Sequence, residues 1–220
     1  MYAFKKKMLP YVGKLAHLYS NQDLVSSYSM FSILDLGSMC LEIDEKQENL
    51  NDLIKALSNK GFKQLADVLQ EKNTVVRSLL QKKYQNLPRC VYQGDLNPSN
   101  ILVDQYKNFV GIIDFNMYGT DVNINYFINE SMYYMQKEDF DFSTEDIIEK
   151  SESIMKELLE CILQEYTLND LEKEMLPYYK FITMISFYPN VQLWISLLEE
   201  NVHVSKVIEL LNTYIINVAV

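Results

Sequence analysis

The spacing of apolar residues changes period twice along the chain. Over residues 4–19, Met8, Val12, Leu15 and Leu18 recur at helical intervals. Beyond a polar break at Ser20 and Asn21, Leu24, Tyr28, Phe31 and Leu34 predict a second helix. Residues 44–58 predict a polar helix carrying Leu50, Leu53, Ile54 and Leu57, with Gly61 placed for a left-handed terminus. A longer amphipathic helix follows through Leu65, Val68, Leu69, Val75, Val76, Leu79 and Leu80, closed by Leu87-Pro88. The period then shortens. Cys90-Val91-Tyr92, Ile101-Leu102-Val103 and residues 109–113 are short strand-like runs, the last two joined by a turn over residues 104–108. Past Gly119 the helical period returns. Ser143-Thr144-Glu145-Asp146 has the form of a capping box, and two or three more helices lead to Val220. The pattern predicts one α+β, predominantly helical domain over 1–220: helical over 1–88, loops carrying chemistry over 89–119, and helical again over 120–220.

Composition agrees. Only 6 Gly and 5 Pro in 220 residues argue against an all-β fold, and 48% hydrophobic content argues against disorder. The charge is uneven. Residues 1–85 carry 12 Lys/Arg against 9 Asp/Glu, and residues 86–220 carry 8 against 21, for a net −10. An acidic half disfavours nucleic-acid binding, which needs a positive surface, and suits a cationic small-molecule substrate. Cys40, Cys90 and Cys161 are odd in number and far apart, which predicts reduced thiols. No apolar run reaches membrane-spanning length and the basic N-terminus is a poor signal peptide, so a cytoplasmic protein without membrane contact is expected. The six acids over residues 138–149 read as a solvated helix start rather than a substrate surface.

The chemistry gathers between Gln93 and Phe115. Asp95, Asn100 five positions on, and Asp114 at the end of an apolar strand supply a carboxylate for an acceptor proton and two oxygen ligands for magnesium. D-x-x-x-x-N alone is common; the strand–turn–strand context makes it specific. Gln93-Gly94-Asp95-Leu96-Asn97-Pro98-Ser99-Asn100-Ile101-Leu102-Val103 resembles the H-G-D-L-H-P-G-N-I-L-V signature of the aminoglycoside phosphotransferase and choline kinase group. Gly111-Ile112-Ile113-Asp114-Phe115 resembles its G-V-I-D-F, and Gly119-Thr120-Asp121-Val122 its G-x-G-D-P.

The resemblance implies the C-terminal lobe of a protein-kinase-like fold, with a small β-hairpin carrying Asn100 and Asp114. Asp95 would be the catalytic carboxylate. Asn100 and Asp114 would bind the Mg2+ and nucleotide, ATP or GTP, and a small hydroxyl compound would accept the phosphoryl group. Gln93 stands where the family has His, and Asn125 where many relatives have Asp. The family's N-terminal β lobe, with its strand Lys, is expected to be absent, because residues 1–94 read as helices and Lys5, Lys6 and Lys7 open one of them. A truncated kinase of this kind is expected to act on its own, as a homo-oligomer, or with a separate N-lobe partner. The alternative is a catalytically inactive lobe acting as a ligand- or protein-binding module.

Overall fold

A computed structural model describes residues 2–20, 22, 28–35 and 42–217. Among these, eight α-helices surround two small antiparallel sheets. The predominantly helical α+β reading therefore holds.

Helix α1 spans Tyr2–Tyr19, as its spacing predicts, and packs on α5 (Thr144–Leu163). Helix α2 spans Glu45–Asn59 and starts where Asp44 accepts the Gln47 N–H at 3.0 Å. That cap satisfies a donor the first turn would leave open. Arg77 of α3 (Lys63–Gln81) grips the same carboxylate at 2.5 and 2.8 Å, so one side chain starts α2 and ties it to α3. Gly61 has the expected positive φ, +89°. Helix α3 ends earlier than Leu87-Pro88 predicts, and a short 3-10 turn, Tyr84–Asn86, fills the gap.

The second predicted helix does not form over Tyr28, Phe31 and Leu34; Leu24 lies outside the described residues. Tyr28 instead makes a parallel bridge with Thr120, and the Ser29 N–H donates to the Thr120 carbonyl at 2.9 Å. Pairing with a strand edge overrides the local period. That edge belongs to β4 (Gly119–Val122), which the pattern missed inside a stretch read as loop and helix. Strand β4 pairs with β1 (Arg89–Tyr92), Tyr92 opposite Gly119 and Arg89 opposite Val122. Strands β2 (Ile101–Val103) and β3 (Phe109–Ile112) form the predicted hairpin.

Helices α4 (Asn123–Ser131), α6 (Asp170–Ser186), α7 (Tyr188–Glu200) and α8 (Val204–Asn217) complete the chain. The capping box predicted at Ser143 is present, with Asp146 as its reciprocal partner. The larger core is built around Trp194, Tyr179, Leu50, Leu53 and Phe140. A smaller one underlies the chemistry-bearing loops and joins Met8, Leu9 and Val12 of α1 to Tyr92, Leu96, Ile101, Tyr126 and Phe127. The Tyr92 and Tyr126 rings stack within it, 3.9 Å apart and 5° from parallel. Each fully buried aromatic or aliphatic side chain contributes about 1.5–3 kcal/mol, so this small cluster is a stiff floor for the loops above it. No single helix among the described residues is long and apolar enough to cross a membrane; α6 and α7 pass that test only as a bent pair, and both bury residues in the larger core.

Candidate active site

Strand β1 delivers the chain to Gly94 at φ +85°, where a Cβ would stand 2.0 Å from the Met117 carbonyl oxygen. Only glycine lets the two loops lie this close. Gln93, 4% exposed, joins them. Its carbonyl oxygen accepts the Asp95 N–H at 2.7 Å, while its amide donates to the Ile113 carbonyl at 3.2 Å and also to the Asp114 carbonyl. The amide side chain supplies one acceptor and two donors, which this position uses together.

After Asp95 the chain makes a 3-10 turn over Pro98–Asn100, capped by Asn97, whose oxygen accepts the Ser99 N–H at 2.9 Å. The Asn97 amide reaches both Asp95 oxygens at 2.8 Å, and the Asn100 amide reaches Asp95 Oδ2 at 2.8 Å. A carboxylate offers about four lone-pair sites. Three are taken by these amides, which leaves one on Oδ1 for an incoming hydroxyl. Asn97, read from the sequence only as a turn residue, is therefore part of the site.

Asn100 is 7% exposed and points its amide at Asp95, so its Oδ1 is left with one long contact, to Ser99 Oγ at 3.4 Å. Its carbonyl accepts the Ile113 N–H at 2.9 Å, placing Asn100 and Asp114 at the same end of the β2–β3 hairpin. Asp114 is exposed, adopts φ +59°, and accepts one weak bond, from the Asn116 N–H at 3.3 Å. Left-handed backbone in a non-glycine residue costs about 1–3 kcal/mol and is found where a side chain must be aimed. These bonds set the three residues singled out in the sequence on neighbouring loops, with the Asn100 amide on Asp95 and Asp114 linked to them through the backbone. Among the described residues no group of three or more His, Cys, Asp and Glu side chains converges. Asn100 and Asp114 are the residues that would hold a magnesium ion, since hard oxygen donors suit a cation that keeps part of its water and takes the rest of its shell from phosphate.

A cavity of about 180 Å³ opens beside Asp95, walled by Phe4, Lys5, Phe31, Leu96, Glu130 and Tyr134. Its residues come from α1, the 28–35 segment, the Asp95 loop and the stretch from α4 to Tyr134, and of these sequence reasoning gave a catalytic role to Asp95 alone. Lys5 looked like one of three helix-opening lysines. In the structure the three part company: Lys6 pairs with Glu157, Lys7 donates to the turn at Lys107 and Asn108, and Lys5 is buried against Glu130. The one signal was Glu130 itself, a charge two positions after the apolar Tyr126-Phe127-Ile128 run. Asn125 makes no bond to Asp114; its side chain serves Lys46, the Phe31 carbonyl and Asp121. None of the acids of residues 138–149 lines the cavity: Asp139 and Asp146 cap turns, and Asp141 lies 3.6 Å from His203.

Residues 42–122 match the phosphotransferase enzyme family. The matched stretch runs from the cap of α2 to the end of β4 and contains Gln93, Asp95, Asn97, Asn100 and Asp114. It bears out the resemblance read from the two motifs and suggests a phosphotransferase-type function. No curated protein and no solved structure matches the chain.

Proposed function

We propose that this chain is the C-terminal lobe of a kinase-like phosphotransferase that moves the γ-phosphoryl group of ATP or GTP to the hydroxyl of a small molecule in the cytoplasm. The observation that carries the reading is the joint placement of Asp95, Asn100 and Asp114 by one clamp, Gln93, and one backbone bond, Ile113 N–H to Asn100 O. Magnesium held by Asn100 and Asp114 would neutralise charge on the β- and γ-phosphates.

The remaining work belongs to the chain. The acceptor hydroxyl donates its proton to the open lone pair of Asp95 Oδ1 as its oxygen attacks the γ-phosphorus. The bond from that phosphorus to the β-bridging oxygen breaks, giving a phosphate monoester and a nucleoside diphosphate. The Asn97 and Asn100 amides hold the Asp95 carboxylate still throughout. Leu102 and Ile113, 45% and 44% exposed, flank the oxygen ligands. An apolar surface beside hard oxygen donors suits a flat base attached to a polyphosphate.

That same exposed surface, continued by Val110 at 63% and Phe115 at 56%, supports a second reading, a catalytically silent lobe that binds a ligand or a covering partner there. Calorimetry separates the two. Magnesium-dependent binding of ATP or GTP is expected in the wild type and lost in Asp114→Ala. Asp95→Asn is expected to keep that binding and to lose phosphoryl transfer by roughly 10³-fold or more, since it removes the proton acceptor. A wild type that ignores both nucleotides would leave only the second reading.

A further inference from the structure

Beneath the Asp95 turn lies a buried row of polar groups that the proposed reaction leaves unused. Tyr126 of α4 is fully buried, and its ring stacks on that of Tyr92, two positions before Gly94. Its hydroxyl is sealed from solvent. It faces the Gly94 N–H and the Glu130 carboxylate without closing a full-strength hydrogen bond on either. Glu130 sits one turn further along α4, its carboxylate 3.7 Å from the Lys5 ammonium. Lys5 is tied down in turn by the Glu130 backbone carbonyl, at 2.9 Å, and by the Tyr134 ring, whose centre is 5.1 Å away. The row therefore runs from Lys5 through Glu130 and Tyr126 to Gly94, and the next residue is Asp95.

We infer that Tyr126 is a positioning residue for Asp95: its hydroxyl, oriented by Glu130 and Lys5, seats the Gly94 N–H and so fixes the turn from which the Asp95 carboxylate is aimed. Three features favour this over simple packing. A phenylalanine would stack on Tyr92 as well as a tyrosine does, so the core has no need of the hydroxyl, and a buried hydroxyl is costly unless a partner takes it. Burial holds the Tyr126 phenol well above its usual range, so it keeps its proton and can donate to Glu130 while accepting from Gly94. A charged acceptor on the far side strengthens the phenol oxygen as an acceptor on the near side, and Lys5 supplies the counter-charge for Glu130. Gly94 itself has no side chain to hold it and stands at φ +85° against the Met117 carbonyl. Gln93 already takes the Asp95 N–H at 2.7 Å, so Tyr126 adds a grip on the amide just before it.

The catalytic consequence rests on the phosphotransferase reading, and the test measures the seat separately from the reaction. Tyr126→Phe removes the hydroxyl alone and keeps the ring stack. Amide hydrogen exchange, followed by NMR on the whole chain, is expected to run roughly fivefold faster at Gly94 in this variant, the worth of about one hydrogen bond. Glu130→Gln should move the same amide in the same direction by less, and Ile113, whose N–H is held by Asn100, should not change in either. Hydrolysis of magnesium-ATP, with water as the acceptor, should lose a similar factor in kcat with KM within about twofold, since the hairpin is untouched. Gly94 exchange at the wild-type rate, or faster exchange with kcat unchanged, would overturn the inference and leave Tyr126 a packing residue. A wild type that neither binds nor hydrolyses magnesium-ATP would sink the phosphotransferase reading instead, and exchange at Gly94 would still decide whether Tyr126 holds the turn. Should Tyr126→Phe fail to fold, Glu130→Gln carries both measurements.

Discussion

At the scale of single residues, the site depends on side chains that fix other side chains. Gln93 touches no substrate in the proposed reaction, yet it holds the Asp95 amide and the backbone carbonyls of Ile113 and Asp114 in one frame. Gln93→Leu would leave these groups without their partner at a position 4% exposed, a cost of about 1–3 kcal/mol. Urea denaturation is expected to report that loss. Magnesium-nucleotide affinity should fall with it, because Asp114 is aimed through the carbonyl that Gln93 holds. A variant that melted early but bound nucleotide as the wild type does would reduce Gln93 to a structural role. The motif residues Asp95, Asn100 and Asp114 were legible in the sequence because their spacing is local, all within 20 positions. Lys5 and Glu130 were not, since 125 residues separate them and nothing local marks a lysine that turns inward.

At the scale of elements, the hairpin was read correctly and the segment before α2 was not. Alternation of side chains along a strand is a short-range property, so Ile101 facing the core and Leu102 facing out follow from the pattern alone. The 28–35 segment depends on β4 instead, a partner about ninety residues away, and its helical spacing was a coincidence of Tyr28, Phe31 and Leu34. The hairpin yields its own prediction. Leu102 lies opposite Gly111, where an added Cβ would meet nothing within 4 Å, and Ile113 follows two positions on, on the same face. Leu102, Gly111 and Ile113 therefore form a flat apolar seat with a gap at the glycine. Gly111→Val is expected to leave the thermal midpoint unchanged or raise it, since valine suits a strand better than glycine. It should also weaken nucleotide binding by roughly tenfold, the effect of about 1.4 kcal/mol of crowding. Unchanged nucleotide affinity with the valine in place would move the base off this face.

At the scale of the whole molecule, one buried joint holds the pieces together. Lys46 of α2 donates to Asn125 of α4 at 3.1 Å and to Thr183 of α6 at 2.6 Å. Asn125 in turn donates to Asp121 of β4 at 2.9 Å, and Ser29 donates to the same carboxylate at 2.8 Å. The joint thus links three helices, the 28–35 segment and the sheet that leads into the Asp95 loop. Burial dominates both charges: it lowers Lys46 from 10.5 to about 7 and raises Asp121 from 3.8 to about 6. Folded Asp121 holds its proton more tightly than unfolded Asp121, so its contribution is complete below pH 3.8 and is lost as pH climbs to about 6. Folded Lys46 holds its proton less tightly, so its cost is complete below pH 7 and is relieved as pH climbs towards 10.5. The two together predict a stability minimum near pH 6–7, against a background set by the surface charge. Thermal midpoints from pH 4 to 10 should show it as a difference between proteins. Asp121→Asn should remove the fall between pH 4 and 6, and Lys46→Met the rise between pH 7 and 10, relative to the wild type. Parallel curves for all three would mean that water or motion relieves the joint, and that the sheet under the Asp95 loop is held by packing alone.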